Sequence, residues 1–203
     1  MPSTEQGRLE RDGADPRRQR TKASIAAAVD ALSRRAEPLT VAAVVAEAGV
    51  SRSTFYAAHD GLGAVLTETM TAIFGDIGSL DLALRDRQSL RDTAEATTSA
   101  LVSAFEANRP LCRAVFASDA GPEVLAALRR TFAQQAEETM RIAAPTEVDP
   151  TAAARYVAAG TLTVLADWAL DDSPLHPDRL RAQLVSLLPM WMLHDEKDDT
   201  NDT

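Results

Sequence analysis

Four neighbouring side chains in this 203-residue chain have the chemistry to meet phosphates and base edges: Arg52, Ser53, Thr54 and Tyr56. A guanidinium presents a planar fork of donors that matches a guanine edge or a phosphate. Hydroxyls of serine, threonine and tyrosine reach phosphate oxygens or bases. All four follow Gly49-Val50-Ser51, inside the stretch VAEAGVSRSTFYAAHDGLGAVL. Aromatics are only 4% of the chain, yet Phe55 and Tyr56 are adjacent. Neighbours on a helix point about 100° apart, so Phe55 can anchor inward while Tyr56 stays outward.

The elements that would position these groups are short. Val41, Val44, Val45 and Ala48 share one helical face, with Thr40 as a candidate N-cap. Gly49 supplies the left-handed residue that stops this helix. Ser51 is the next N-cap candidate, for a helix from Arg52 to about Ala58. Two short helices about a glycine turn make a helix-turn-helix, whose second helix can enter a major groove N-terminus first. The helix starts after Thr40 and Ser51 also offer backbone N–H groups to phosphates. An earlier helix carries Ile25, Val29, Leu32 and Ala36 on one face and ends before Pro38. Asp60 is a candidate cap for a fourth helix with Leu62, Val65, Leu66, Ile73 and Phe74 inward.

Charge is distributed unevenly. The whole chain is at −9, but residues 17 to 59 hold seven Arg or Lys against three acids, about +4. Arg17, Arg18, Arg20 and Lys22 would form a basic arm at the first helix, facing DNA backbone or minor groove. Their other reading is an ordinary solvated face.

The remaining chain again shows helical periods broken by Gly and Pro, and no strand pattern. The expected fold is all-α with about nine helices. Residues 1–16 and 194–203 are expected to be disordered, 17–60 to form the helix-turn-helix domain, and 61–193 a ligand-binding and dimerisation domain. There is no apolar leader and no membrane-length apolar run, which suits a cytoplasmic protein without a membrane partner. The one cysteine, Cys112, allows no internal disulfide and reads as a small buried residue. His59, His176 and His194 are scattered, and no HExxH, CxxC or phosphate loop occurs, so neither an enzyme, a metal nor a cofactor is expected.

The stretch LTVAAVVAEAGVSRSTFYAAHDGLGAVL resembles the N-terminal domain of the tetracycline-repressor (TetR) family. ANRPLCRAVF and AAGTLTVLADWALDDSPLHPDRLRAQLVSLL resemble that family's middle and dimerisation segments. The resemblance implies a homodimeric, ligand-responsive repressor that binds a palindromic operator in double-stranded DNA and is released by a small molecule. Where this chain has Ala58, His59 and Leu62, the family usually has histidine, phenylalanine and lysine. His59 therefore reads either as a replacement phosphate donor or as a half-buried structural histidine. The second overall reading is a family-like helical dimer that acts by protein contact, with weak or non-specific DNA binding.

Candidates for the DNA-binding set are thus Arg17, Arg18, Arg20, Lys22, Thr40, Ser51, Arg52, Ser53, Thr54, Tyr56 and His59. Leu101, Phe105, Cys112, Phe116, Phe132, Met140, Tyr156 and Trp168 are candidates to line a ligand cavity, although side chains of these types are more often plain core. They favour a mostly apolar effector. The helix around Tyr156 to Leu170 is apolar over most of its circumference, as buried helices are. With Ala159, Gly160 and Thr163 it is expected to meet a second copy, joined by Leu184 and Leu188 of the last helix.

Overall fold

The computed structural model describes residues 16–75, 77–85 and 87–193. The polar segment expected at the N-terminus lies outside them except for Pro16, which opens the first helix, and the acidic tail at 194–203 lies outside them too. Among the described residues there are ten α-helices and no strand.

The first four helices are α1 (Pro16–Arg34), α2 (Val41–Ala48), α3 (Arg52–Ala58) and α4 (Leu62–Phe74). Helix α1 buries Ile25, Ala28, Val29 and Leu32. Ala36 does not extend that face: the helix ends at Arg34, and Ala36 takes the left-handed φ of 54° in the closing turn. Thr40 accepts the Ala43 N–H at 3.1 Å and starts α2. Gly49, at φ 64°, turns its N–H back to Val45 and Ala46. Ser51 then accepts the Thr54 N–H at 3.1 Å and starts α3. Asp60 caps nothing: the N-cap of α4 is Gly61, with φ 152° and no side chain to offer.

Helix α5 (Ile77–Arg85) is the one beyond the expected count; the glycines at 75 and 78 obscure its period. Next come α6 (Leu90–Ala107), α7 (Arg109–Phe116), α8 (Gly121–Ala143), α9 (Pro150–Leu170) and α10 (Pro177–Ser186), then a 3₁₀ turn at Met190–Met192. Pro110, Pro122, Pro150 and Pro177 all sit in first turns, where a missing N–H costs no helical bond.

One core joins the two parts of the chain. Ile25, Val44, Phe55, Leu66 and Phe74 of α1 to α4 belong to the same buried cluster as Phe105, Val115, Leu128 and Leu165. Phe74 meets Phe105 at 4.5 Å between ring centroids, and Phe105 stacks on Phe116 at 6.4 Å. Helices α8 and α9 form the most extensive helix pair. Helix α8 also holds α4 at both ends. A Cβ at buried Gly63 would strike the Glu123 carboxylate, and the Gln135 amide donates to the Gly75 carbonyl. A carboxylate in that place suits the positive end of α4. At the far side, Arg109 and Arg113 donate to the carbonyls of Leu170 and Asp171, satisfying the end of α9.

Gly49 carries the corner on which α3 depends. A Cβ there would touch nothing within 4 Å among the described residues, so substitution costs backbone strain. Gly49→Ala is expected to destabilise the protein by about 1–2 kcal/mol, measured as a lower urea midpoint at an unchanged slope.

Candidate functional site

Helix α3 is divided by its neighbours into two faces. Phe55 and Ala58 are buried against α1 and α2. Arg52, Ser53, Thr54 and Tyr56 point outward. Tyr56 is 56% exposed and rests edge-on against Phe55, with centroids 5.3 Å apart. The adjacent aromatics divide one helix between core and surface. Ser51 Oγ lies 2.8 Å from both Ser53 Oγ and Thr54 Oγ1, so three hydroxyls cluster beside Arg52. Thr40 Oγ1 accepts as a cap and keeps its O–H to donate, whereas Ser51 Oγ, besides capping, is engaged by Ser53 and Thr54. Arg52 has no partner among the described residues and is exposed.

The other basic groups divide. Arg17, Arg18 and Arg20 lie exposed on the first turns of α1, and Arg20 Nε donates to the Pro16 carbonyl at 3.2 Å. Lys22 does not belong with them. Its ammonium bridges both oxygens of Glu68, at 3.0 and 3.2 Å, and so ties α1 to α4. Arg35 is held by Glu37 and Glu47, and Arg34 by Asp30.

His59, expected among the DNA-facing residues, is buried and does not offer a surface donor. It is the C-cap of α3, and its side chain is only 6% exposed. Its ring stands 6.1 Å from that of Phe55, and Nδ1 is 3.4 Å from a Glu68 oxygen. Nε2 is buried with no hydrogen-bond partner among the described residues. The imidazole is structural, yet one of its nitrogens is unsatisfied. Burial pushes its pKa below the ordinary value; Glu68 opposes that, Lys22 and Arg18 reinforce it, and Asp60 opposes it weakly.

A partly open cavity of about 110 Å³ lies among α5, α6, α8, α9 and the 3₁₀ turn. Leu101, Phe132 and Met140 line it, as three of the eight ligand candidates. Phe105 and Cys112 are fully buried in the main core and Phe116 packs against it, so none of them faces the cavity. Burial pushes the Cys112 thiol up to about 12, which keeps it protonated and unreactive. Trp168 is core too, its indole N–H donating to Leu175 O at 2.8 Å and its ring lying under the Arg109 guanidinium. Tyr156 faces away, 70% exposed. The lining contains Asp81, Thr97, Thr98, Thr139, Thr161 and Met192, which sequence reasoning missed. The signal was present in α6, where Thr93, Thr97 and Thr98 sit on or beside its apolar face.

Helix α9 keeps one open stripe of Tyr156, Gly160, Thr163, Asp167 and Leu170, with Ala159 half-buried at its edge. Thr163 Oγ1 accepts from Arg129 at 2.7 Å. Leu184 is not on any such surface: it is 4% exposed in the main core. Leu188 lines the cavity instead. Both were expected at an interface because their spacing is apolar, but α10 spends that face on α6. Leu187 and Met190 are the exposed apolar residues of this segment.

Among the described residues no group of three His, Cys, Asp or Glu is placed to hold a metal, and no helix is long and apolar enough to cross a membrane.

The fold is that of TetR-family transcriptional regulators. A TetR regulator from Streptococcus agalactiae superposes at a TM-score of 0.59 and 19% identity, over 85% of this chain and 95% of that one. A protein from Syntrophomonas wolfei assigned to the TetR family gives 0.61 at 14% identity, over 88% and 95%. FadR of Bacillus subtilis, a transcriptional regulator in complex with stearoyl-CoA, gives 0.54 at 14% identity, over 84% and 96%. No protein-family model and no curated protein sequence matches the chain.

The buried imidazole generates a pH dependence. A histidine whose folded pKa is lowered contributes stability that is intact above the unfolded value of about 6.5. That contribution is lost as pH falls through the lower folded value. Between about pH 7.5 and pH 5.5 the wild-type melting temperature is expected to drop more than that of His59→Phe, which fills the same space and cannot titrate. Parallel curves for the two proteins in a thermal melt series would contradict this.

Proposed function

We propose that this chain is a TetR-family transcriptional repressor that binds a palindromic operator as a homodimer and is released by a small, mostly apolar effector. The observation that carries the reading is the outward face of α3, where Arg52 stands without a partner beside Ser53, Thr54 and Tyr56. The helix is presented by a capped glycine corner, on the fold of known DNA-binding regulators. In this reading residues 17–60 form the DNA module and 61–193 the ligand-binding and dimerisation part.

The dimer is supported by Gly160. It lies exposed in the middle of α9, where glycine costs about 1 kcal/mol relative to alanine. Nothing among the described residues comes within 4 Å of the space a Cβ would take. Close approach of a second α9 gives that glycine a use. Release is supported by α8, which lines the cavity through Phe132, Ala136, Thr139 and Met140 and touches α4 at Gly63 and Gly75. A shift of α8 on ligand entry moves α4, and with it the attached α3. The cavity lining offers no cation for a polyanionic head such as that of the stearoyl-CoA held by the FadR neighbour.

A second reading, a helical dimer acting by protein contact, is favoured by the loss of Lys22 to Glu68 and by Leu62 in place of the family's usual lysine. A salt titration separates the two. Operator binding predicts tight binding to one selected palindrome with a steep fall of log affinity against log salt. Equal, weak binding to all sequences favours the second reading.

Arg52→Ala is expected to weaken binding to that palindrome by about 1–3 kcal/mol if the guanidinium reads a base, scored by fluorescence anisotropy. Unchanged affinity and specificity would remove Arg52 from the interface. Gly160→Glu is expected to turn the dimer into a folded monomer by light scattering, with the melting temperature kept within a few degrees, since exposed substitutions usually change stability by under about 0.5 kcal/mol. A persistent dimer would place the interface elsewhere.

A further inference from the structure

We propose that Glu68 competes with the DNA backbone for Lys22: it holds this ammonium off phosphate, and so sets how tightly the chain grips a duplex without setting which sequence it prefers. The proposal rests on the regulator reading, and its test tells the two apart.

Placement supports it first. Lys22 lies on α1 just after the exposed Arg17, Arg18 and Arg20. Its ammonium is 3.0 and 3.2 Å from the two oxygens of Glu68 on α4. His59, at the C-terminal end of α3, stands beside the same carboxylate, with Nδ1 at 3.4 Å from Oε2. Tyr56 of the outward face comes about one helical turn before His59. The pair therefore sits where α1, α3 and α4 meet, at the end of the face that Arg52 opens. A carboxylate there is an unfavourable neighbour for a polyanion.

Exchange supports it second. The pair is open to solvent, the side chains of Lys22 and Glu68 being 37% and 53% exposed. Ion pairs in that setting are held weakly, and salt weakens them further. An ammonium on a flexible four-carbon stem can swing from a carboxylate to a phosphate without movement of the backbone. Glu68 is not abandoned when it does, because His59 Nδ1 stays beside it. Arg35, by contrast, is shared between Glu37 and Glu47 and has two partners to leave.

The consequence is specific. A phosphate contact carries no base information. Loss of the Glu68 charge therefore raises affinity for every duplex by the same factor and leaves the preference among sequences as it was.

The full chain and its Glu68→Gln variant test this by fluorescence anisotropy, on a mixed-sequence duplex and on the palindrome the wild type selects from a random pool. Glu68→Gln is expected to bind both about three- to tenfold tighter at about 0.1 M salt. Its log affinity is expected to fall more steeply against log salt, by about 0.9 for each chain bound. Lys22→Met is expected to cost at least about threefold more affinity in the Glu68→Gln background than in the wild type. Glu68→Ala, which keeps no acceptor for the ammonium, is expected to reproduce the gain. Circular dichroism of every variant is expected to match the wild type, since both positions are open to solvent. Unchanged or weaker binding by both Glu68 variants overturns the proposal. A gain that survives in full without Lys22 overturns it too, because the carboxylate would then act by repulsion alone. So does a gain confined to the palindrome. Binding without the gain sinks this proposal and leaves the regulator. The gain on mixed sequence with no palindrome selected sinks the operator and leaves this proposal. No binding of either duplex by any variant sinks both.

Discussion

Helix α8 is held against α4 at both ends, and the positions of most functional groups follow from that contact. At one end the Glu123 carboxylate occupies the space that any side chain at residue 63 would need; at the other, Gln135 donates to the Gly75 carbonyl. Between them Val65, Leu66, Met70 and Phe74 of α4 are buried. Because α3 runs into α4 through only three residues, His59, Asp60 and Gly61, the outward face of α3 is aimed by α4. Because α8 goes on to line the cavity, the cavity and the aimed face share one rigid element. The aromatic contact of Phe74 with Phe105 adds a second tie between α4 and the larger part.

Electrostatics refine this arrangement rather than build it. Much of the positive charge concentrated between residues 17 and 59 is consumed inside the fold. Lys22 bridges to Glu68, Arg34 to Asp30, and Arg35 to Glu37 and Glu47. These pairs are exposed and contribute little each to stability. They do decide which cations remain to meet a polyanion, and leave Arg52 as the clearest of them. Far from that face, two guanidiniums on α7 close the C-terminus of α9. They allow Asp171 and Asp172 to follow a helix end whose partial negative charge would otherwise repel them.

The corner was legible in the sequence because its causes are local. Thr40, Gly49 and Ser51 act on backbone within three or four residues, and each does in the structure what its type predicts. The division of Phe55 and Tyr56 between core and surface follows from helical angle alone. What was not legible depends on partners far along the chain. Lys22 could not be separated from the arginines before it without knowing that Glu68, 46 residues later, lies beside it. Leu184 and Leu188 show an apolar period, but a period does not say whether α6 or a second chain covers it. The cavity candidates failed for a related reason: aromatic and sulfur side chains fill space well, so Phe105, Cys112 and Phe116 close the core. The walls left around empty space combine Phe132, Met140 and Met192 with threonines and alanines that carry no apolar signal of that size.

The shared core also bears on how such a protein can be recombined. Residues 17 to 60 look in the sequence like a cassette, yet α1 packs on α7 and Gly63 is shaped around Glu123. A chimera cut at residue 60 would pair a foreign α1–α3 unit with walls built for another. Any exchange of α1 to α3 by fusion must carry α4 with the first turn of α8, or lose their fit. Point changes on the outer face of α3 avoid that penalty altogether. Change on this scaffold is therefore channelled toward single-residue steps at exposed positions such as 52, 53, 54 and 56, and away from the shuffling of whole modules.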